Sequence, residues 1–320
     1  MRLGILLCLF LAGCATKQAP EPVAEATVAT ITAFTEGPTV DGEGNLYFTE
    51  IMNQRIMKMK PDGSLTVFRE NSNSANGLLF DSELRLLACE GAAMRGSRFH
   101  GMSPLANQEM KPRVTRTDLK TGKMEVLADS YEGKPFTGPN DITMDRLGRL
   151  YFTDLPGGAV YRIDADKKLT RILAAPDIQR PNGISISPDD KTLYLVEANN
   201  QQGGARMIRA YDLGEDGVPR NMRVFWNFSP GRSADGLCMD TQGNLYAAAG
   251  LHQTRGTSET LDTKCGIHVF SPDGKKKRFI GVPEDTITNC AFGGADMKTL
   301  YVTAGKGVYQ FKVDVAGTRR

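Results

Sequence analysis

The sequence predicts an all-β protein folded as a six-bladed β-propeller, and three observations lead to this fold class. A phrase made of a polar turn and an apolar strand recurs six times along the chain. A second strand-like run follows every copy, and repeats of about 40 to 60 residues with about four strands each are typical of propeller blades. The last repeat is one strand short, and a spare strand precedes the first one.

The repeated phrase reads Asp-x-x-Gly-x-Leu-Tyr-Phe-Thr-Glu or a close variant. Its copies cover residues 41–50, 81–90, 145–154, 188–197, 240–249 and 294–304. The runs that follow cover residues 55–59, 113–117, 159–163, 207–211, 266–270 and 307–311. Apolar and polar residues alternate with a period of two between Gly, Asp and Pro turns, which indicates antiparallel strands and no convincing helix.

The two ends of the chain favour closure into a ring. Residues 307–315 suffice for one strand after the sixth phrase, and residues 29–34 would supply the missing outer strand. Pairing the N-terminal strand with the last blade removes an exposed sheet edge. We therefore assign the propeller to residues 29–316.

The N-terminus predicts export. Met1 and Arg2 are followed by an apolar run and by Leu11-Ala12-Gly13-Cys14. The run is too short to span a bilayer, so we expect a signal peptide at residues 1–13. The last four residues resemble the bacterial lipobox, in which the cysteine is acylated; an ordinary signal peptide cut nearby is the alternative. The expectation is an exported bacterial lipoprotein, anchored to a membrane through Cys14 and a tether at residues 14–28, in the periplasm or at the cell surface.

Charge and cysteine content exclude several partners. A formal charge of +2, with one basic block at residues 275–278, argues against a nucleic-acid partner. We expect a monomer. No Cys-x-x-Cys spacing occurs, so a thiolate metal site is disfavoured. The sequence leaves open whether disulfides form among the remaining cysteines, Cys89, Cys238, Cys265 and Cys290.

An oxygen-bearing side chain precedes the first strand of every blade. These residues are Glu36, Asn76, Asn140, Asn182, Asp235 and Asn289. The first strand of a propeller blade lines the central channel, so equivalent positions should form a ring at its mouth. Asn-Gly and Asp-Gly are also common turn dipeptides, which is the simpler explanation for any single pair. Six positions in register favour the ring.

Part of this ring suits a hard cation. Glu36, Asn140, Asn182 and Asp235 offer two carboxylates and two amide oxygens, which are ligands that Ca²⁺ prefers. Zn²⁺, Mg²⁺ and Mn²⁺ remain possible, but none of the three histidines lies in the ring, which disfavours a histidine-ligated zinc. Asn76, Asp141 and Asn289 are the expected substrate-binding residues.

Two further groups of residues are expected near the same mouth. Four of the second strands end in an acid, namely Glu50, Glu90, Asp154 and Glu197. Long loops at residues 91–112, 198–206 and 250–265 carry Arg95, Arg98, His100, His252 and Arg255, which could contact an anionic or polyol substrate. Ordinary surface charge is the alternative for each of these side chains.

Several motifs match a known family in sequence and in order. They are Pro-Asn-Asp at 139–141, Arg-Pro-Asn-Gly-Ile at 180–184, Ala-Asp-Gly-Leu at 234–237 and Asp-Thr-Ile-Thr-Asn-Cys-Ala-Phe-Gly-Gly at 285–294. Over residues 34–315 the chain resembles the senescence marker protein, gluconolactonase and luciferin-regenerating enzyme family, and residues 75–91 resemble its bacterial gluconolactonase branch.

This resemblance implies a six-bladed propeller with a catalytic divalent cation, usually Ca²⁺, at the channel mouth. It implies that Glu36, Asn182 and Asp235 are metal ligands and that Asn140 binds metal or substrate. It also implies a base at Asp154, while Asp235 could act as both ligand and base. The animal branch has an arginine where this chain has Gly138, so its preference for sugar-acid lactones does not carry over.

The expected activity is Ca²⁺-dependent hydrolysis of a lactone. The cation would polarise the carbonyl, and Asp154 or Asp235 would activate the attacking water. Two alternatives remain. One is hydrolysis of other esters or phosphotriesters at the same site, and the other is a non-catalytic binding propeller at the cell surface.

Overall fold

The computed structural model describes residues 27–31, 34–91 and 111–319. The predicted signal peptide, Cys14 and most of the predicted tether lie outside these residues, and so do Arg95, Arg98 and His100. No helix in the described part is long and apolar enough to cross a membrane.

Six four-stranded antiparallel sheets, the blades, form the fold. The first described strand of the chain, β1 (Thr27–Ile31), precedes blade one. Blade one contains β2 (Thr35–Val40), β3 (Leu46–Glu50), β4 (Arg55–Met59) and β5 (Leu65–Arg69), with a 3-10 turn at Ile51–Asn53. Blade two contains β6 (Leu78–Phe80), β7 (Leu86–Glu90), β8 (Arg113–Thr117) and β9 (Met124–Ala128). A small hairpin of β10 (Ser130–Tyr131) and β11 (Lys134–Pro135) precedes blade three, which contains β12 (Pro139–Met144), β13 (Leu150–Asp154), β14 (Ala159–Ile163) and β15 (Leu169–Ala174).

The remaining three blades complete the sequence of sheets. Blade four contains β16 (Pro181–Ile186), β17 (Thr192–Ala198), β18 (Arg206–Leu213) and β19 (Pro219–Asn227). Blade five contains β20 (Ala234–Met239), β21 (Leu245–Ala249), β22 (Gly266–Phe270) and β23 (Lys276–Gly281). Blade six contains β24 (Ile287–Gly293), β25 (Thr299–Ala304) and β26 (Gly307–Lys312), with β1 as its outer strand. The prediction of an all-β six-bladed propeller is confirmed.

The repeated phrase folds as a tight turn because its aspartate binds the turn's own backbone. In blade three, Asp145 Oδ1 accepts hydrogen bonds from the amides of Leu147 and Arg149, both at 3.0 Å. Gly148 has a φ of +76°, a conformation that glycine adopts without the steric cost of a Cβ. The equivalent carboxylates of Asp41, Asp81 and Asp240 accept the same pair of amides.

Apolar side chains bind each blade to the next. Every one of six buried clusters contains residues of two neighbouring sheets. In the cluster that joins blade six to blade one, Tyr301 and Val308 pack with Leu46 and Phe48. Burial of apolar area between sheets stabilises such a ring by roughly 25 cal/mol per Å². Because each blade shares two of these interfaces, the unfolding of one blade would expose both of them to water.

The outer strand of blade six differs from the predicted one by a few residues. The sequence predicts residues 29–34, whereas Thr27–Ile31 pairs with β26 and begins inside the predicted tether. Phe34 is buried instead, and its carbonyl accepts the amide of Ile51 at 3.0 Å. Phe34 therefore belongs to the entry into blade one.

Candidate functional site

Most of the six oxygen-bearing residues lie at irregularities of the inner strands, and we call these six the channel ring (Glu36, Asn76, Asn140, Asn182, Asp235 and Asn289). Strand pairing shifts its register between Glu36 and Thr39 in blade one, and comparable shifts occur in blades three to six. Such bulges re-aim a side chain that regular pleating would direct elsewhere. Asn76 precedes the short β6, and its amide donates to the Cys89 carbonyl at 2.8 Å.

Glycine follows four of the ring residues because neighbouring blades approach closely there. A Cβ on Gly183 would lie 2.3 Å from the Asp235 carbonyl oxygen, and one on Gly236 would lie 2.0 Å from Asn289 Cγ. A Cβ on Gly37 would lie 2.0 Å from the Asn76 carbonyl oxygen. These Asn-Gly and Asp-Gly pairs are therefore not ordinary turn dipeptides, since they lie where the inner strands meet.

One half of the channel ring is a chain of hydrogen bonds between amide side chains. Asn76 Nδ2 donates to Asn140 Oδ1 at 2.7 Å, and Asn140 Nδ2 donates to Asn182 Oδ1 at 2.6 Å. The Asn182 side chain in turn lies near the Asp235 carboxylate and lowers its pKa. The oxygen of Asn76 is buried and has no hydrogen-bond partner among the described residues. The hydrogen bonds thus run from blade two to blade four and end beside a carboxylate of blade five.

The other half is organised by Asn289. Its Nδ2 lies 3.0 Å from both carboxylate oxygens of Asp141, which reaches across from the opposite blade. The same nitrogen lies 3.3 Å from Glu36 Oε2, which also accepts the Gly37 amide at 2.7 Å. One amide nitrogen therefore holds two acidic side chains from different blades.

The acidic side chains of the channel resist ionisation. Burial raises the pKa of Glu36 well above its ordinary value, and repulsion from Asp235 and Asp141 raises it further. Burial and repulsion from Asp235 raise the pKa of Asp141 to about 7. Burial also raises the pKa of Asp235, although Arg232 and Arg255 oppose this effect. Ionisation of all three acids together is therefore disfavoured unless a cation compensates the charge.

Two cavities lie on either side of these acids. The larger, which we call the mouth cavity, has a volume of about 790 Å³ and is lined by Glu36, Asn76, Asn140, Asn182 and Asp235. The smaller, of about 210 Å³, is lined by Asp141 and Asn289 together with apolar side chains. The predicted metal-binding residues therefore all face the larger space.

Arg232 is a site residue that the sequence analysis missed. Its guanidinium is buried, donates to Asp235 Oδ2 at 2.5 Å and also donates to the Ile287 carbonyl at 2.8 Å. In the sequence, only its position three residues before Asp235 indicates that it could contact that carboxylate. In this arrangement an arginine neutralises one of the two carboxylates at the cavity.

Loops of blades four and five cover part of the mouth cavity, as their length predicted. Arg206 connects these loops through its buried guanidinium. The guanidinium donates to the carbonyls of Pro230 and Gln201, both at 2.9 Å, and contacts Ser258. Arg255 lines the cavity and lies 3.3 Å from Glu259, and its Nε is buried without a described partner. His252 is outside the cavity lining and contacts the Val282 carbonyl at 2.7 Å.

The acids that end the second strands are buried and engaged in local structure. Asp154 is 2% exposed, and its oxygens accept the amides of Thr137 at 2.9 Å, Gly138 at 2.8 Å and Gly157 at 3.3 Å. Glu197 accepts the amides of Gln179 and Arg180 in the same way. These contacts do not favour Asp154 as the base, and that role remains a prediction without support from the geometry. All four of these acids are buried, so the alternative that they are ordinary surface charges is wrong.

The residues of the channel ring fit a hard divalent cation. Glu36 and Asp235 supply carboxylate oxygens, Asn182 keeps a second lone pair on Oδ1, and the unpartnered Asn76 oxygen lies in the same ring. No group of three His, Cys, Asp or Glu side chains in the described ranges is arranged to hold a metal. A ligand set of two carboxylates, amide oxygens and water is one that suits Ca²⁺. His268 is buried beside Phe270, away from the ring.

Comparisons with known proteins agree with this architecture. A family model described as SMP-30/Gluconolactonase/LRE-like region matches residues 34–306. The gluconolactonase of Zymomonas mobilis is 28% identical over 314 residues, which cover 91% of this chain and 81% of the relative. A solved gluconolactonase from Xanthomonas campestris is 25% identical, with a TM-score of 0.73 over 91% of this chain and 90% of its own. A calcium-binding protein, regucalcin from Agrobacterium tumefaciens, shares the fold at 21% identity, with a TM-score of 0.70 over 92% and 96% of the two chains. The chain therefore belongs to the SMP-30/gluconolactonase/LRE-like family.

Proposed function

We propose that this protein hydrolyses a lactone with the help of a bound divalent cation, Ca²⁺ in the first instance. Its membership of a family that includes gluconolactonases supports the reaction class. The observation that carries the proposal is a pair of carboxylates, the buried Glu36 and the partly buried Asp235, which face one cavity and repel each other. Arg232 compensates one of these two charges, and the second is costly to bury unless a cation is bound.

Glu36, Asn182 and Asp235 would hold the cation, and Asn140 lies beside them through its hydrogen bond to Asn182. When bound, a divalent cation supplies Lewis-acid polarisation of the lactone carbonyl. Asn289 and Gly37 orient Glu36, and Arg232 orients Asp235. The amides of Asn76 and Asn140 would position polar groups of the substrate at the cavity floor.

We assign the base to a carboxylate that touches the mouth cavity, and Asp235 meets this condition. A proton from the attacking water would pass to an Asp235 oxygen. Asp141 lines the smaller cavity behind the ring and is the reserve candidate. Asp154 is outside the lining of either cavity, so we give it the task of holding residues 137–138 in place.

A panel of substrates tests the activity directly. Neutral and acidic lactones, aryl esters and phosphotriesters are incubated with the full chain after chelation and again after addition of Ca²⁺, Zn²⁺, Mg²⁺ or Mn²⁺. We expect lactone hydrolysis that chelation removes and Ca²⁺ restores. Faster hydrolysis of an ester or a phosphotriester than of any lactone would show that the protein belongs to that substrate class instead. Absence of hydrolysis and of divalent-cation binding would leave a cell-surface binding propeller as the better account.

The wall of the mouth cavity favours a substrate with an anionic substituent. Arg180 and Arg255 both line the cavity, and their positive charges lower the pKa of Asp235. Since a hydrogen bond to a charged group contributes about 1.5–3 kcal/mol, Arg255→Gln should raise KM for an acidic lactone roughly 10-fold or more. KM for a neutral lactone should change little.

Arg223→Gln is the matched control for that variant, because Arg223 pairs with Asp212 on the outer part of blade four, away from the cavity. Steady-state rates on paired neutral and acidic lactones measure both variants. An equal rise of KM on both substrates in Arg255→Gln would show that this arginine does not recognise an anion.

The chelated protein should lose stability as pH rises. The pKa of Asp141 is about 7 in the folded protein against an ordinary value of 3.8. The folded state therefore holds a proton that the unfolded state has released, and this stabilisation fades between about pH 4 and pH 7. We expect chelated protein to be less stable at pH 7.5 than at pH 5 by about 2 kcal/mol. Denaturant titrations at both pH values measure it.

Asp141→Asn is the comparison for this experiment, because it removes one of the three channel acids whose pKa is raised and should reduce the pH dependence. Ca²⁺ should stabilise the wild type more at pH 7.5 than at pH 5, since its ligands must be deprotonated. A wild type whose pH dependence matches that of Asp141→Asn would contradict the assignment.

We also propose that the protein is an exported lipoprotein anchored through Cys14. The support is the sequence Leu-Ala-Gly-Cys at residues 11–14 after a short apolar run. Cys14→Ser should abolish lipid attachment and release a folded, active protein from the membrane fraction. Mass spectrometry of the mature N-terminus and fractionation measure this. An unmodified N-terminus in the wild type would refute the anchor.

A further inference from the structure

Cys238 and Cys290 lie next to each other on the inner strands of blades five and six. Their Sγ atoms are 2.8 Å apart. Non-bonded heavy atoms prefer separations of about 3.5–4.0 Å, whereas a disulfide bond measures about 2.03–2.05 Å. The two sulfurs are thus closer than ordinary packing allows, and a small movement of the side chains would bring them to bonding distance.

The surrounding strands hold both cysteines in place. Cys238 pairs with Tyr246 of β21, and Cys290 pairs with Val302 of β25. Cys290 is 3% exposed, and its Sγ also lies 3.6 Å from the Tyr246 carbonyl oxygen. β20 and β24 are in direct contact along the channel. The backbones that carry the two cysteines are therefore held next to each other.

The other two cysteines of the described chain have different surroundings. Cys89 is buried in β7 within the cluster between blades two and three. Cys265 precedes β22, and its thiol donates to the Glu284 carbonyl at 3.4 Å. The structure therefore selects one pair of the four cysteines that the sequence left open.

We propose that Cys238 and Cys290 form a disulfide that joins blades five and six just behind the channel ring. Each cysteine loses its thiol proton, one S–S bond forms, and two electrons pass to a protein disulfide that acts as oxidant and becomes a dithiol. Export, which we proposed above, would bring the chain to a compartment with such oxidants. The disulfide itself is independent of the proposed catalytic activity.

The bond has a structural consequence at the site. Cys290 directly follows Asn289, and its amide donates to Asn289 Oδ1 at 2.8 Å. Cys238 lies three residues after Asp235 on the same strand. A bond between them would fix the spacing of two ring residues on adjacent blades and close a covalent loop across 52 positions of sequence.

Burial raises the pKa of the Cys238 thiol, so thiol–disulfide exchange is disfavoured in the folded chain. We therefore expect the disulfide to form while the chain folds.

Peptide mapping identifies the bond because trypsin separates all four cysteines. Residues 233–255 carry Cys238, residues 279–298 carry Cys290, residues 86–95 carry Cys89 and residues 265–275 carry Cys265. The exported full chain is denatured with N-ethylmaleimide without reductant and digested. We expect a linked pair of the first two peptides, with Cys89 and Cys265 alkylated. Alkylation of both Cys238 and Cys290, or a link to another cysteine, would overturn the proposal.

A stability measurement gives a second, independent readout. The double variant Cys238→Ala/Cys290→Ala should melt roughly 5 °C below the oxidised wild type, because a disulfide across a loop of this length restricts the unfolded chain. Reductant present during unfolding should lower the wild-type midpoint and leave that of the double variant unchanged. Wild-type and variant midpoints that respond equally to reductant would overturn the proposal.

Discussion

Replacing Asp235 by asparagine should weaken metal binding and suppress hydrolysis together. The carboxylate faces the mouth cavity, and the substitution removes one of the two negative charges that would hold the cation. It also leaves the buried Arg232 without its carboxylate partner. We expect Ca²⁺ affinity to fall by at least about 100-fold and turnover by roughly 100-fold or more. Calorimetric Ca²⁺ titration and lactone hydrolysis rates measure both effects.

Asp154→Asn is the informative comparison, since it changes a buried carboxylate outside the cavity lining. If Asp154 only holds its loop through three backbone amides, the variant should lose about 1–3 kcal/mol of stability. Metal affinity and turnover at low temperature should then change little. A large loss of turnover with normal metal binding would instead restore Asp154 as the base. Wild-type Ca²⁺ affinity in Asp235→Asn would remove that residue from the ligand set.

The second large effect should come from Gly236→Ala, which adds a single methyl group. The added Cβ would lie 2.0 Å from Asn289 Cγ, so the Asn289 side chain must move. That movement would break its hydrogen bonds to Asp141 and Glu36. Overpacking and the loss of bonds to charged groups should together cost about 3 kcal/mol or more. We expect a lower midpoint in denaturant and a loss of most hydrolysis.

Gly281→Ala is the control for this substitution. Gly281 ends the outer strand of blade five, and a Cβ there would meet Phe279 at an ordinary contact distance of 3.7 Å. Neither glycine has a positive φ, so backbone strain does not distinguish them. Similar stability and rates for the two variants would show that the close approach at Gly236 is not essential to the site.

The sequence alone was sufficient for the architecture because the propeller repeats its local chemistry. Each phrase begins with an aspartate or a similar turn residue and continues into a buried strand, as Asp145 and the strand Leu150–Asp154 illustrate. Turn formation and strand alternation are local properties, and six copies of them leave few other arrangements. The exact outer strand was harder to predict, since Thr27–Ile31 is selected by its pairing with β26 rather than by its own composition.

The sequence likewise determined which residues gather at the channel, because equivalent positions in equivalent blades meet at the axis. Only the tertiary structure decided how they are used. The contacts of Asn289 with Asp141, of Arg232 with Asp235 and of Cys238 with Cys290 join residues of different strands, blades or loops. The carboxylate of Asp154 turned out to bind backbone amides of its own blade. Periodicity reports which face of a strand a residue occupies, whereas a hydrogen bond or a raised pKa depends on which atoms other segments bring within a few ångströms.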